Sequence, residues 1–284
     1  MAFEETGQLT LRAEHIESAV QNFKLQEFKM LPLCEIRRST AEKNSYFDEQ
    51  DSDLTRTVTT GVTGTSLGHT PRGAAFNSVQ PSWEKQTEYP SKHTGTDTIL
   101  WEDLITDAFN VAGRSALRVT RAVAHSQDKV IITELNTTTQ TSVGSDWSDA
   151  DVSLRVPKDD ILTAIAGMEI NEWYVLKSNG YIVMHPTNKK EALGNGGMGD
   201  AYENIVTENG RKETLLGLNL ISTIAQTLGT ATLGIPKIAM RWYQVSPLQT
   251  ASVFRPGKDL TIDAWLYGVP ALVNNNAAYK LTGI

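Results

Sequence analysis

A chain of 284 residues, 40% hydrophobic and 21% charged, is long enough for one large or two modest domains and too apolar for a disordered protein. Its formal net charge of -7 argues against a protein whose main task is gripping phosphate backbones, although nucleic acid could still be a neighbour. A single cysteine, Cys34, forbids an internal disulfide, so stability must come from packing or assembly.

Flanked by Leu33 and Ile36, Cys34 reads as a small apolar core residue rather than a nucleophile. No run of some 18 apolar residues occurs, and the opening MAFEETGQLT has neither a basic region nor an apolar core. The expectation is a protein without signal peptide or membrane span, made and used in a cytoplasm-like compartment.

In chain order, 11–31 carries a helical pattern through Ile16, Val20, Phe23 and Phe28, stopped near Pro32. Such a helix is marginal alone, and nothing local offers it a partner. From 39 to 95 the sequence turns polar and rich in Thr, Ser and Gly. Short alternating pieces, LTRTVTT and SWEKQTEY, suit an exposed two-stranded ribbon. A ribbon alone is marginal at best, and Phe76, Trp83 and Tyr89 within it argue against pure disorder, so it reads as an arm ordered by lying on another molecule.

The stretch 97–126 predicts a long amphipathic helix, roughly 40 Å at about 1.5 Å per residue. Asp97 is its expected N-cap, and Trp101, Ile105, Ala108, Ala112, Ala116, Val119 and Val123 form its apolar face. Arg114, Arg118 and Arg121 fall toward its negative end. After it, DKVIITELN (128–136) predicts a strand, and 157–168 a second helix with Pro157 in the first turn. Tyr181 to Met184 predicts a buried strand, turning at His185-Pro186 into a short helix that ends at Leu193. An exposed glycine-rich loop, GNGGMGDAY, follows. Strands are then expected at 213–224, broken at Gly217, at 235–246, and in DLTIDAWL, where Leu260, Ile262, Ala264 and Leu266 share a face. The chain closes on a strand-like AYKLTG.

Chemistry is sparse. No two of the five histidines, His15, His69, His93, His125 and His185, stand at the i, i+4 spacing of a helical zinc site. There is no nucleophile elbow or phosphate-binding loop, and the glycines of 194–199 lack the Lys-Ser/Thr sequel. Neither Glu102-Asp103 nor Asp159-Asp160 converges as a carboxylate pair. No catalytic residue, cofactor or metal is therefore expected. Trp101, Trp173, Trp242 and Trp265 sit in apolar segments and read as core. Trp83 and Trp147 sit in polar ones and read as candidates for docking on a neighbouring chain.

Taken together, the N-terminal arm, the polar ribbon ending in WEKQTEYPSKHTGTDTI, the long helix, DDILTAIAGM, YIVMHPTNKKEAL, the glycine loop, ETLLGLNLISTI and the terminal DLTIDAWLYGVPALVNNNAAYKLTG resemble the major capsid proteins of tailed bacteriophages, the Hong Kong 97-type fold. The resemblance implies an α+β protein with an N-terminal arm at 1–45, an extended E-loop hairpin at 46–96, and a peripheral domain with its spine helix at 97–151. An axial domain at 152–251, a peripheral return strand at 252–276 and a C-terminal strand at 277–284 complete it. It implies pentamers and hexamers closing into an icosahedral shell around double-stranded DNA held without sequence-specific contacts, in a virion assembled in the host cytoplasm. Scaffold and portal proteins are implied partners; since the arm is reached at once from Met1, the scaffold is expected to be separate or absent. Phe23, Phe28, Phe76, Trp83, Lys85, Tyr89 and Lys92 are the implied inter-subunit contacts, and Asn195, Gly196, Gly197 and Met198 the loop near the capsomer axis. Some relatives join an E-loop lysine to a peripheral asparagine; Lys85 or Lys92 with Asn274 to Asn276 are the residues placed for it, against a reading as ordinary surface residues. An encapsulin-like shell holding enzymes is the near alternative, and a soluble α/β enzyme with a long lid the distant one.

Overall fold

In a computed structural model of the protein, the described residues are 28–40, 42–49, 57–58, 78–79, 83–106, 111–149, 151–171, 173–194, 202–207 and 210–284. Among the described residues the chain begins with the strands β1 (Glu35–Arg38), β2 (Asn44–Glu49), β3 (Thr57–Val58), β4 (Ser78–Val79) and β5 (Trp83–Glu88). A long strand, β6 (Ser91–Leu100), then leads into α1 (Trp101–Thr106) and the spine helix α2 (Val111–Leu135). Two sequence expectations are corrected here. Asp97 lies on β6 rather than capping a helix: in HTGTDTIL, His93 and Ile99 turn inward while Thr94, Thr96 and Thr98 face out. The segment 128–135 is helix, not strand. Its Val130-Ile131-Ile132 run has strand propensity, but the spacing of four through buried Val119, Val123, Gln127, Ile131 and Leu135 continues through it, and burying that face outweighs a weak intrinsic preference.

The spine helix lies against β14 (Asp259–Leu272), an inner strand, and β6, an edge strand, of a four-stranded sheet ordered β1, β13 (Met240–Arg255), β14, β6. Contact is close because Gly95 has no side chain there; a Cβ would stand 3.2 Å from Val119 Cγ1 and 3.3 Å from its carbonyl oxygen. Leu260, Ile262, Ala264 and Leu266 are buried on one face of β14, as the alternation predicts. The β13–β14 register slips between Gln244 and Ser246 and again between Ser246 and Gln249, and Pro247, which cannot donate to a ladder, sits in that irregularity.

Farther along, α2 passes into a core shared with α3 (Pro157–Ile170), β8 (Tyr181–Met184), α4 (Pro186–Gly194), β9 (Tyr202–Thr207), β10 (Gly210–Leu215), β11 (Leu218–Ser222), β12 (Thr230–Gly234) and β15 (Ala278–Thr282), with β7 (Thr141–Val143) outside it at a sheet edge. The strands make one sheet, ordered β7-β15-β12-β8-β11-β10-β9. β8 is buried along its whole length, as the unbroken YIVM run requires of a central strand. His185 then begins α4: its Nδ1 accepts from Thr187 N at 3.2 Å, and Pro186 takes the first helical position. The break expected at Gly217 is a two-residue hairpin, Leu216 and Gly217 both with positive φ (51° and 80°), joining β10 to β11.

Ile131, Ile132 and Leu135 of α2, Ile161, Ile165 and Met168 of α3, and Tyr181 to Met184 share one continuous core with Trp242 and Leu266 of the four-stranded sheet. At about 1.5–3 kcal/mol for each large apolar side chain withdrawn from water, that core ties the two sheets into one body. Where α2 ends, Asn136 fastens it: Thr232 Oγ1 donates to Asn136 Oδ1 (2.5 Å), Asn136 Nδ2 donates to Gln226 Oε1 (2.9 Å), and Lys280 Nζ donates to the Asn136 carbonyl (2.8 Å). The helix carries no basic residue in its own last turn, and Lys280 supplies the cation its negative end favours.

Candidate assembly surfaces

The ribbon has two unlike faces. β2 pairs antiparallel with β5, Asn44 opposite Glu88 and Phe47 opposite Lys85, and farther out β3 pairs with β4. Asn44 and Tyr46 turn inward. Asn44 Oδ1 accepts from Ser39 Oγ at 2.5 Å; Tyr46 lies 6.3 Å from the Tyr243 ring and donates its hydroxyl to Glu134, whose acidity is weakened chiefly by burial. The ribbon's root is thus docked on its own subunit. The opposite face carries the hydroxyl pair Ser45–Thr87 at 3.3 Å, exposed Lys85, and Phe47, 58% exposed; Tyr89, just past β5, is 65% exposed.

The arm's root is built in more firmly. Phe28, Met30 and Cys34 are buried, and β1 lies parallel to β13 over Glu35 to Arg38. Asp128, buried in α2, holds this segment: its carboxylate accepts from Met30 N at 3.0 Å and Lys29 N at 3.2 Å, while Lys29 Nζ donates to the Ser222 carbonyl at 2.7 Å. Burial pushes the Asp128 carboxyl up to about 6, against the pull of those two amides and the Lys29 charge. Burial likewise pushes the Cys34 thiol up, as its reading as core requires. Glu35 is raised by burial but lowered more by hydrogen bonds from Arg241 and Arg37, so it stays below the usual carboxylate range.

Of the predicted contact residues, Lys85, Tyr89 and Lys92 are exposed, and Trp83 begins β5. Phe28 is 6% exposed within its own subunit, which withdraws it from any neighbour. Phe23, Phe76 and the loop residues Asn195, Gly196, Gly197 and Met198 lie outside the described residues. Lys92 stands 5.5 Å over the Trp265 ring, beside a cavity of about 440 Å³ lined by Thr94, Thr96 and Asp263. Asn274, Asn275 and Asn276 are all buried, with Asn274 Oδ1 capping the short turn at Asn276 N and Ala277 N. They are therefore structural and closed to a neighbour's lysine.

Trp147 corrects another expectation. It is wholly buried, and its Nε1 donates to Asp160 Oδ2 at 2.8 Å, an oxygen that also accepts from Ser145 N (2.9 Å) and Ser145 Oγ (2.7 Å). The polar residues around it in sequence form its cage. Sequence reasoning missed Tyr46, Phe47 and Asp128. The alternation in NSYF could have shown the first two, and a lone acid before the apolar run VII the third.

His93 is buried between Ser126 Oγ (2.9 Å) and Ser91 Oγ (3.3 Å), and burial lowers its pKa, so a neutral imidazole bridges β6 and α2. Among the described residues no group of three or more His, Cys, Asp or Glu side chains could hold a metal, and no helix is long and apolar enough to cross a membrane.

No family model matches the sequence, and no curated protein matches it. Solved structures do. The chain is similar to the virus-like particle from Pyrococcus furiosus, at 10% identity and TM-score 0.64 over 95% of this chain and 98% of that one. It is also similar to the capsid of the cyanophage P-SCSP1u, at 11% identity and TM-score 0.60 over 90% and 88% of the two chains. The SrpI encapsulin complex from Synechococcus elongatus PCC 7942 matches at 13% identity and TM-score 0.58 over 90% and 86%. At such identities the likeness is one of fold: the chain has the α+β Hong Kong 97-type capsid fold, found in phage capsids and in an encapsulin alike.

Proposed function

We propose that this chain is a major capsid protein, a non-catalytic block that assembles into pentamers and hexamers and closes an icosahedral shell around packaged double-stranded DNA. The observation that carries the reading is the two-faced ribbon: its root is satisfied by its own subunit through Asn44 and Tyr46, while Phe47 and Tyr89 stand in the open. Apolar surface of that kind is buried when sister copies associate, and shells use permanent interfaces of about 2,000 Å² or more. Head-to-tail contacts between identical copies close rings.

On this reading 1–45 is the arm, 46–96 the E-loop, 97–151 with 252–276 the peripheral domain, and 152–251 with 277–284 the axial domain. Lys85, Tyr89 and Lys92 meet neighbouring subunits. A portal, and where needed a scaffold, join the shell in a virion built in the host cytoplasm. Electron microscopy of the purified protein is the test: closed particles of uniform size are expected, and a monodisperse monomer by light scattering would overturn the reading. The likeness to the encapsulin supports a second reading, a shell around enzymes, which purified particles carrying a packaged enzyme and no DNA would establish instead.

A further inference from the structure

The alternation that buries one face of β14 turns the other toward solvent. Leu260, Ile262, Ala264 and Leu266 are buried on the α2 side, so Asp263 and Trp265 lie on the open side of the four-stranded sheet, beside exposed Thr94 and Thr96 of β6. Trp265 thereby departs from its reading as core. It is half-buried, belongs to neither apolar cluster of the described residues, and has Thr94 and Gln249 as its cross-strand neighbours.

The ring is held in one plane. Its Nε1 donates to Gln249 Oε1 at 3.0 Å, and Lys92 Nζ lies 5.5 Å from its centroid, close to the outer limit of about 6 Å for a cation–π contact. Beside the ring opens the cavity of about 440 Å³, within the range of about 300–1,000 Å³ in which small-molecule sites fall. Farther along the sheet the hydroxyls of Thr98 and Thr261 face each other at 3.4 Å. Asp263, by contrast, stands between Thr96 and the small Ala251, and among the described residues no side chain bonds to its carboxylate or to the hydroxyls of Thr94 and Thr96.

An aromatic plane, a carboxylate and two hydroxyls around an open hollow select among ligands. Asp263 repels phosphate, and no exposed aliphatic side chain lines the hollow to anchor a protein. A pyranose suits it. The axial C–H groups of the sugar carry slight positive charge and match the negative face of the indole, while adjacent sugar hydroxyls donate to the carboxylate and exchange hydrogen bonds with the threonines. Asp263 and Trp265 are two residues apart, about 7 Å along the strand, so a sugar on the ring reaches both.

We propose that this open face, at Trp265 and Asp263, is a binding site for a neutral oligosaccharide of pyranose units, with Lys92 a cover over the ring that the sugar displaces. The site is complete within one subunit and does not rest on the shell reading. In a shell, a neighbour that engages Lys92 bares the ring.

Calorimetric titration of full-length subunits with cellohexaose, maltohexaose and chitohexaose, with polyglutamate as the charged control, tests the site. Wild type is expected to bind at least one of the three sugars with a Kd of about 1 mM or tighter, and polyglutamate not at all. Trp265→Leu keeps bulk but removes the plane, and should weaken that binding at least about tenfold. Asp263→Asn should weaken it by about threefold or more, and Lys92→Ala should tighten it or leave it unchanged. Circular dichroism and thermal unfolding like those of wild type are the control; if Trp265→Leu does not fold, Asp263→Asn and Lys92→Ala still decide. Absence of sugar binding, binding indifferent to both Trp265→Leu and Asp263→Asn, or loss of binding in Lys92→Ala would overturn the proposal. Self-association lost in Trp265→Leu, with no sugar bound by wild type, would assign the face to a sister copy instead.

Discussion

Replacing Asp128 with Asn isolates the cost of a charge buried at the arm's root. In the folded chain the carboxyl titrates at about 6 against an ordinary 3.8, because burial penalises its ionised form more than the Lys29 and Met30 amides repay. Between these two values the folded state binds a proton that the unfolded state lacks, so stability falls as pH rises from 3.8 to 6. At about 1.4 kcal/mol per pH unit, the span of 2.2 (6 minus 3.8) amounts to about 3 kcal/mol. The cost is complete above pH 6 and absent below 3.8. Asp128→Asn removes the titration, so the difference in unfolding free energy between wild type and variant should be flat above about pH 6.5. It should then shift in favour of wild type by about 3 kcal/mol on acidification to pH 4. Urea unfolding of dispersed subunits, followed by tryptophan fluorescence across this range, gives the difference directly. Parallel curves would refute the reasoning. A shift of the opposite sign would mean that the two amides and the Lys29 charge outweigh burial.

Three further perturbations follow from the packing. Gly234→Ala places a methyl 2.5 Å from the buried Tyr181 hydroxyl and should cost about 1–3 kcal/mol by thermal unfolding; that hydroxyl has no partner, so Tyr181→Phe alone should cost less than about 1 kcal/mol or stabilise. Asp160→Ala strands the buried Trp147 donor and the half-buried Ser145 donors and should cost about 3 kcal/mol, Trp147→Phe about 1–2, and the double variant less than their sum by about 1 in denaturant unfolding. Phe47→Ala and Tyr89→Ala, both at exposed positions, should leave subunit unfolding within about 0.5 kcal/mol but lower the yield of closed particles by sedimentation. Normal particle yield from the pair would remove the ribbon's outer face from the assembly contacts.

Where a segment had one clean period, its structure was legible. Leu260 to Leu266 alternates and buries one face; Ile161, Ile165 and Met168 repeat at helical spacing and bury theirs; YIVM, too apolar for a half-exposed strand, is the middle of a sheet. Failures came where two signals competed. The β-branched run after Asp128 spoke for a strand while the longer period spoke for the helix, and only packing on both sides of the helix end decides between them. The acids of 97–107 suggested one helix start, hiding the two-residue alternation of β6. Trp147 looked stranded because the oxygen that binds it belongs to Asp160, which sequence separation conceals. Of the candidate surface, the exposure of Lys85, Tyr89 and Lys92 was legible from their place in a polar stretch. The inward turn of Phe28 and the outward turn of Phe47 depend on register, which single residues do not carry.

The parallel pairing of β1 with β13 has a mechanical consequence. Glu35 to Arg38 run in the same direction as Arg241 to Gln244. Tension drawn along the arm therefore loads that ladder in shear, sharing the force among its hydrogen bonds at once, where a perpendicular pull would peel them one by one. The joint between arm and body is strongest along the strand axis and weakest across it, so the direction of a tug, more than its size, sets whether the body yields.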